Sequence, residues 1–100
     1  YGDGIKILFH ALAVCHQYKT GEYVAVLLHR LLDTKDPWLE ENKDEARDVG
    51  GLKILSGIME DLVLSDPTGS LCGICAAVVL NLVRDMHENK EAARKAGLIP

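Results

Sequence analysis

Residues 89–100 read NKEAARKAGLIP and residues 42–53 read NKDEARDVGGLK, so an Asn-Lys start, an Ala-Arg pair and a glycine recur 47 positions apart. A further shift of 47 positions places GLKIL at residues 51–55 over GIKIL at residues 4–8. A period of this size is typical of stacked helical units, each of which is too small to bury its own core. The sequence therefore predicts an all-α protein built from about two helical repeats.

The composition argues against several other classes of protein. Apolar residues make up 48% of the chain and aromatic residues only 5%, as expected where helices pack closely on helices. A net charge of −4 gives no basic face for a nucleic-acid backbone, so we expect no nucleic-acid partner. No apolar run reaches the roughly 18 residues that span a bilayer. The three cysteines, an odd number, favour reduced thiols in the cytoplasm or nucleus over a disulfide framework.

Helical periodicity predicts six helices in the order long, long, short, long, long, short. We expect a first, mostly buried helix over residues 4–18, a break at residues 19–21, and a second helix over residues 22–33. The fourth helix is expected over residues 52–64 and the fifth over residues 71–87. The inward face of the fourth helix is expected to hold Leu52, Leu55, Ile58, Met59, Leu62 and Val63.

The two short helices have recognisable start and stop signals. The third helix begins either at Asp36-Pro37, where Asp can cap and Pro fits the first turn, or at Asn42, which forms a capping-box pattern with Glu45. Gly50-Gly51 ends this helix with the residue type that best adopts a left-handed cap. The corresponding signals for the start of the fifth helix and for the start and end of the sixth are Ser70, Asn89 and Gly97.

Two sequence patterns connect these helices with a known family. Residues 45–55 follow Glu-Ala-x-x-x-Gly-Gly-x-Pro-x-Leu except for Lys53 at the Pro position, and residues 91–100 follow it with Pro in place. Residues 24–32 and 75–83 follow Ala-Ala-Trp-Ala-Leu-x-Asn-Leu-Ala. The first pattern resembles the junction between the first two helices of the armadillo repeat, and the second pattern resembles its third helix.

The resemblance covers nearly the whole chain and implies a right-handed α-superhelix. Residues 1–35 would supply helices two and three of one repeat, residues 36–88 a complete repeat, and residues 89–100 the start of the next. The related HEAT repeat is the alternative, but it lacks the short first helix that the repeated Asn segments supply. Both termini look cut from a longer chain, and we expect self-association through the cut repeat ends.

The resemblance also implies a function. In peptide-binding armadillo proteins the third helices line a concave groove, where Asn holds the backbone of an extended peptide and Trp forms slots for its side chains. The implied function is non-enzymatic binding of a partner protein or peptide, with no cofactor and no metal. Position and helical spacing give the binding residues as Asn81, Arg84, Ala77, Arg30 and Val26. Ala77 and Val26 stand at the Trp position, and Arg30 stands at the second Asn position.

Two alternatives remain open. Cys72 and Cys75 are three residues apart near a helix start, a spacing found in thiol redox sites and in half of a zinc site. The strand that precedes such a redox helix is not predicted here, and no second Cys/His pair has matching spacing. The chain could also be a scaffold or regulatory segment of a larger enzyme, or of a regulator of a GTPase or chaperone.

Overall fold

A computed structural model describes residues 4–33, 35, 37–66 and 68–99, and within these residues it contains six helices and no strand. The all-α prediction is thereby confirmed for the described part of the chain, as is the order of long and short helices. The helices are α1 (Gly4–Cys15), α2 (Lys19–Leu31), α3 (Leu39–Asp48), α4 (Gly51–Ser65), α5 (Ser70–Val83) and α6 (His87–Lys95).

Helix α4 shows how an apolar stripe positions a helix in this fold. In α4 the buried side chains at Leu52, Leu55, Ile58 and Leu62 recur at intervals of three and four residues, which places them on one face. Met59 lies half-buried beside this stripe. Val63 was expected inside but is 61% exposed, because it lies beyond the edge of the stripe.

The prediction of a mostly buried first helix was wrong. Helix α1 ends at Cys15 rather than at Tyr18, and of its side chains only Ile5, Phe9 and Leu12 are buried. The opposite side of α1 faces solvent although it is apolar; Ile7 is 63% exposed and Val14 is 75% exposed. Helix α1 contacts α2, α3 and α4 on one side only, which leaves the other side uncovered.

The break before α2 lies earlier than predicted. The turn is formed by residues 16–18, and Lys19 already begins α2. Gly21 was interpreted as a helix breaker, but it lies inside the helix. A Cβ atom at Gly21 would come within 2.7 Å of the Cys15 carbonyl oxygen, so glycine is required by the close approach of the two chain segments.

Helix α5 is shorter than predicted. Ser70 is its first residue rather than its cap, and the Ser70 hydroxyl donates a hydrogen bond to the Glu22 carboxylate of α2. The helix ends at Val83 rather than at His87. Arg84 is extended and Asp85 has a φ of 59°, a left-handed conformation that no α-helix can continue through.

The glycine stop signals are confirmed. Gly50 follows α3 with a φ of 77°, and Gly97 follows α6 with a φ of 83°. At α6 the amide of Leu98 donates to the Ala93 carbonyl (3.0 Å) and the amide of Gly97 donates to the Arg94 carbonyl (3.1 Å), which is the Schellman arrangement.

The predicted asparagine caps are wrong, and the two residues do something else. Asn42 and Asn89 lie inside α3 and α6, which begin at Leu39 and His87; Asp36, the alternative start, is outside the described residues. The Asn42 side-chain amide donates to the carbonyl oxygen of Leu31 (2.9 Å), in the last turn of α2. The Asn89 amide donates to that of Leu82 (2.8 Å), in the last turn of α5. Each short helix is thus fastened to the end of the long helix before it.

The six helices share one buried core. Helix α2 packs against both α1 and α5, while α4 packs against both α1 and α5 as well. The short helices α3 and α6 contact each other and both contact α4. Equivalent helices therefore lie side by side: α1 beside α4, α2 beside α5 and α3 beside α6. In the described part of the chain, none of the helices has the length and apolar character that crossing a membrane requires.

Candidate functional site: a groove between α2 and α5

A groove of about 330 Å³ lies between α2 and α5. It brings together Val26, Arg30 and Ala77, three of the five residues that sequence analysis predicted for peptide binding. Val26 and Ala77 are 51 positions apart, so they occupy equivalent positions of α2 and α5. The remaining lining residues are His29, Ser70, Gly73 and Ile74.

Small side chains keep this groove open. Gly73 is exposed on α5, and a Cβ atom added there would meet nothing within 4 Å. One turn later, Ala77 presents only a methyl group. Val26 and Ile74 supply apolar walls, and Arg30 is exposed at the rim. The groove therefore has apolar walls with a cationic group beside them. This arrangement suits a polypeptide segment that carries both apolar and acidic side chains.

Asn81 lies on the same side of α5 as Ala77, one turn further on, but it does not line the groove. It is only 6% exposed, and its amide nitrogen has no hydrogen-bond partner within the described residues. An unsatisfied buried donor costs roughly 1–3 kcal/mol. Asn81 was expected to be an accessible groove residue, so its burial is a correction: the helices around it cover the amide.

Arg84 follows the last residue of α5 and does not line the groove either. Its backbone carbonyl accepts a hydrogen bond from the Lys43 ammonium group at 3.0 Å. The side chains of Arg30 and Arg84 are exposed, and neither makes an ion pair with the residues that the structure describes. A carboxylate oxygen of Glu88, beyond the end of α5, lies 3.8 Å from a guanidinium nitrogen of Arg47.

Sequence analysis missed the role of Lys43. This lysine is only 5% exposed, and burial followed by the nearby charge of Arg84 lowers the pKa of its ammonium group. Its repeat equivalent Lys90 is exposed, so repetition in the sequence gives no signal for the difference. Lys43 connects α3 to the end of α5, close to the predicted binding surface.

The environment of Cys75 opposes thiolate chemistry at this residue. Cys75 is fully buried, and burial, with a smaller contribution from Cys72, raises the pKa of its thiol to about 11. The thiol is therefore protonated at neutral pH, which opposes a role as nucleophile or metal ligand. All three cysteines are free. The described residues contain no group of three or more His, Cys, Asp or Glu side chains that could hold a metal ion.

A second contact that the sequence did not signal joins His16 to Asp61, 45 residues away. The His16 Nε2 atom lies 3.1 Å from an Asp61 carboxylate oxygen, and its Nδ1 atom lies 3.0 Å from the Ala13 carbonyl oxygen. Both ring nitrogens are therefore occupied, so His16 has no free nitrogen with which to activate a neighbouring hydroxyl. The pair fastens the end of α1 to α4.

Comparisons with protein-family models, with characterised proteins and with solved structures found no match to this chain.

Proposed function

We propose that this chain is a protein-binding scaffold of the armadillo type, in which an extended segment of a partner protein lies in the groove between α2 and α5. The observation that carries the proposal is the meeting of Val26, Arg30 and Ala77 in one open groove. In this proposal the helices form a right-handed superhelix, with residues 36–88 as its complete repeat. The chain acts without a cofactor, in the cytoplasm or the nucleus.

Two equivalent hydrogen bonds support the repeat. Asn42 and Asn89 are 47 positions apart, and their acceptors Leu31 and Leu82 are 51 positions apart. The spacing of 47 is the period of the short helices α3 and α6. The spacing of 51 is the period of α2 and α5. The same contact is therefore made twice, between equivalent atoms of consecutive units, as expected when repeats stack by nearest-neighbour contacts.

The groove favours an extended segment over a folded domain. Its walls are the sides of two helices, and its open floor at Gly73 and Ala77 admits a backbone with small or apolar side chains. Arg30 and Arg84 have charge available for acidic side chains of the same segment. A scaffold or regulatory role inside a larger enzyme, or in a GTPase or chaperone regulator, would use the same groove.

Filling the groove tests the proposal. Peptides would be selected from a displayed random library on the wild-type chain. Fluorescence anisotropy would then compare their affinity for the wild type with that for Gly73→Leu, whose new side chain has room at a position that lines the groove. We expect binding to weaken at least about tenfold, equivalent to about 1.4 kcal/mol.

The matched control is Gly57→Leu, because Gly57 is also an exposed helical glycine with open space but lies on α4. It should leave the affinity unchanged. Arg30→Glu should weaken the acidic peptides most. If no selected peptide distinguishes Gly73→Leu from Gly57→Leu, the groove is not the binding site.

A further inference from the structure

The chain contains two pairs of long helices that correspond by sequence repetition but bury different sides. The first pair is α1 with α2, and the second pair is α4 with α5. A shift of 47 positions maps α1 onto α4, and a shift of 51 positions maps α2 onto α5. Each residue of the first pair therefore has a counterpart in the second, and their exposures can be compared position by position.

One side of the helix pair is buried in the second pair but partly exposed in the first. Leu27 is 50% exposed, whereas its counterpart Val78 is fully buried. Leu8 is half-buried, whereas its counterpart Leu55 is fully buried. The same holds for Val24 against Cys75 and for Leu31 against Leu82. Because α5 packs on α2 and α4 packs on α1, these positions of the second pair are the ones that the first pair covers.

The other side of the helix pair is buried in the first pair but partly exposed in the second. Ala25 is fully buried, whereas its counterpart Ala76 is exposed. Leu28 is fully buried, whereas Val79 is half-buried. Three further positions follow the same rule: Leu32 against Val83, Leu12 against Met59, and Phe9 against Ser56. These positions of the first pair are the ones that the second pair covers.

Two apolar faces are thus left only partly covered in the described part of the chain. The leading face consists of Ile7, Leu8, Val24, Leu27 and Leu31. The trailing face consists of Met59, Ala76, Val79 and Val83. The burial pattern and the contacts of α1 with α4 and of α2 with α5 indicate that the trailing positions of the first pair pack on the leading positions of the second. The two open faces are therefore the two halves of an interface that the chain forms once within itself.

We infer that a second copy of this chain docks head to tail, with the leading face of one copy on the trailing face of the next. The internal contact between the pairs supplies the template, and burial of the partly exposed apolar side chains of the two faces supplies the driving force. A head-to-tail contact leaves one face of each kind free at the ends, so assembly continues beyond the dimer. This assembly does not depend on what the groove between α2 and α5 binds.

Complementary single-face variants test it by sedimentation velocity. Leu27→Glu places a charge in the leading face and Ala76→Glu places one in the trailing face, both at positions that are exposed in the single chain. The wild-type chain should form oligomers whose size grows with concentration. Each variant alone should be monomeric. An equal mixture should form a one-to-one dimer, because each variant retains the face that the other has lost.

Leu64→Glu is the control. Leu64 is 88% exposed, and its counterpart Gln17 stays exposed although it lies beside the second pair, so this variant should assemble like the wild type. If circular dichroism shows that Leu27→Glu has lost helix, Ile7→Glu replaces it, since Ile7 belongs to the leading face and is 63% exposed, whereas its counterpart Ile54 is half-buried.

Three outcomes would overturn the inference. A wild-type chain that stays monomeric at all concentrations would show that the faces do not bind. Dimers of Ala76→Glu alone would show that leading faces pair with each other. A mixture that fails to dimerise would show that the two faces are not complementary.

Discussion

Single residues carry the links between units, and Asn89 is the clearest of them. Its side chain is fully buried, its amide donates to the Leu82 carbonyl, and its oxygen accepts from the Arg47 guanidinium at 3.1 Å. One side chain therefore joins the short helix α6 both to the end of α5 and to α3. A buried residue that bonds groups on two other helices is costly to remove, since both partners lose their bonds together.

We expect Asn89→Ala to lower the free energy of unfolding by roughly 1–3 kcal/mol, because the Leu82 carbonyl would be left buried without a donor. Urea denaturation followed by circular dichroism measures this. The control is Lys90→Ala at the exposed neighbouring position, which should stay within about 0.5 kcal/mol of the wild type. Equal effects of the two substitutions would contradict the role assigned to Asn89.

The buried thiol of Cys75 makes stability depend on alkaline pH. Its pKa is raised from 9.0 to about 11 in the folded chain, so the unfolded chain loses this proton first as the pH rises. The stabilisation is complete below pH 9 and is lost towards pH 11, by roughly 2–3 kcal/mol in total.

Urea denaturation of the wild type and of Cys75→Ala across this pH range measures the effect as the difference between the two curves. Lys43, whose pKa is lowered, acts in the opposite direction but equally in both proteins, so it cancels. A difference that does not change with pH would contradict the assignment to Cys75.

At the scale of the helix, two glycines of α4 have opposite roles. Gly51 begins the helix against α1, and a Cβ atom there would lie 2.7 Å from the Phe9 ring and 2.8 Å from the Ala46 carbonyl oxygen. Gly57 is exposed in the middle of the same helix with open space around it. The first glycine is required by packing, and the second only adds flexibility to the unfolded chain.

We therefore expect Gly57→Ala to stabilise the protein by about 0.5–1 kcal/mol and Gly51→Ala to destabilise it by about 1–3 kcal/mol. Thermal melting of both variants beside the wild type provides the measurement. The two changes add the same methyl group to the same helix, so each serves as the control for the other. Shifts of the same sign would show that the close contact at Gly51 does not govern the result.

The positions of the helices could be predicted from the sequence, because helical periodicity and glycine stops depend on near neighbours in the chain. The work of particular polar residues could not. Asn42 and Asn89 are of a residue type that often caps helices. Their acceptors lie 11 and 7 residues earlier, each in a preceding helix that only the tertiary fold brings close. For Asn81, helical spacing predicts the same side of α5 as Ala77 but gives no information on burial, and the residue is only 6% exposed.

At the scale of the whole molecule, all six helices contribute to one buried cluster, from Phe9 in α1 to Ala93 in α6. No boundary in this core separates the first helix pair from the second. The chain should therefore unfold in one step, although its sequence consists of repeats.

Phe9→Leu in α1 and Val78→Ala in α5 provide a test, because both side chains are fully buried but belong to different pairs. Each should lower the free energy of unfolding by roughly 1–3 kcal/mol. The midpoint of the single urea transition should fall while its slope stays unchanged. Dilute samples avoid association. The exposed Val63→Ala is the control. A second transition in either variant would mean that the pairs unfold separately.

The paired bonds of Asn42 and Asn89 have a consequence for how such a chain can be lengthened. The stretch between bond partners is four residues longer for Asn42, at 11 positions against 7, yet both amides reach a carbonyl in the last turn of the preceding long helix. The extra residues do not move the point of attachment. The connection between α2 and α3 is therefore where the polypeptide can accept an inserted tag, reporter domain or cleavage site while the helices on either side keep their places.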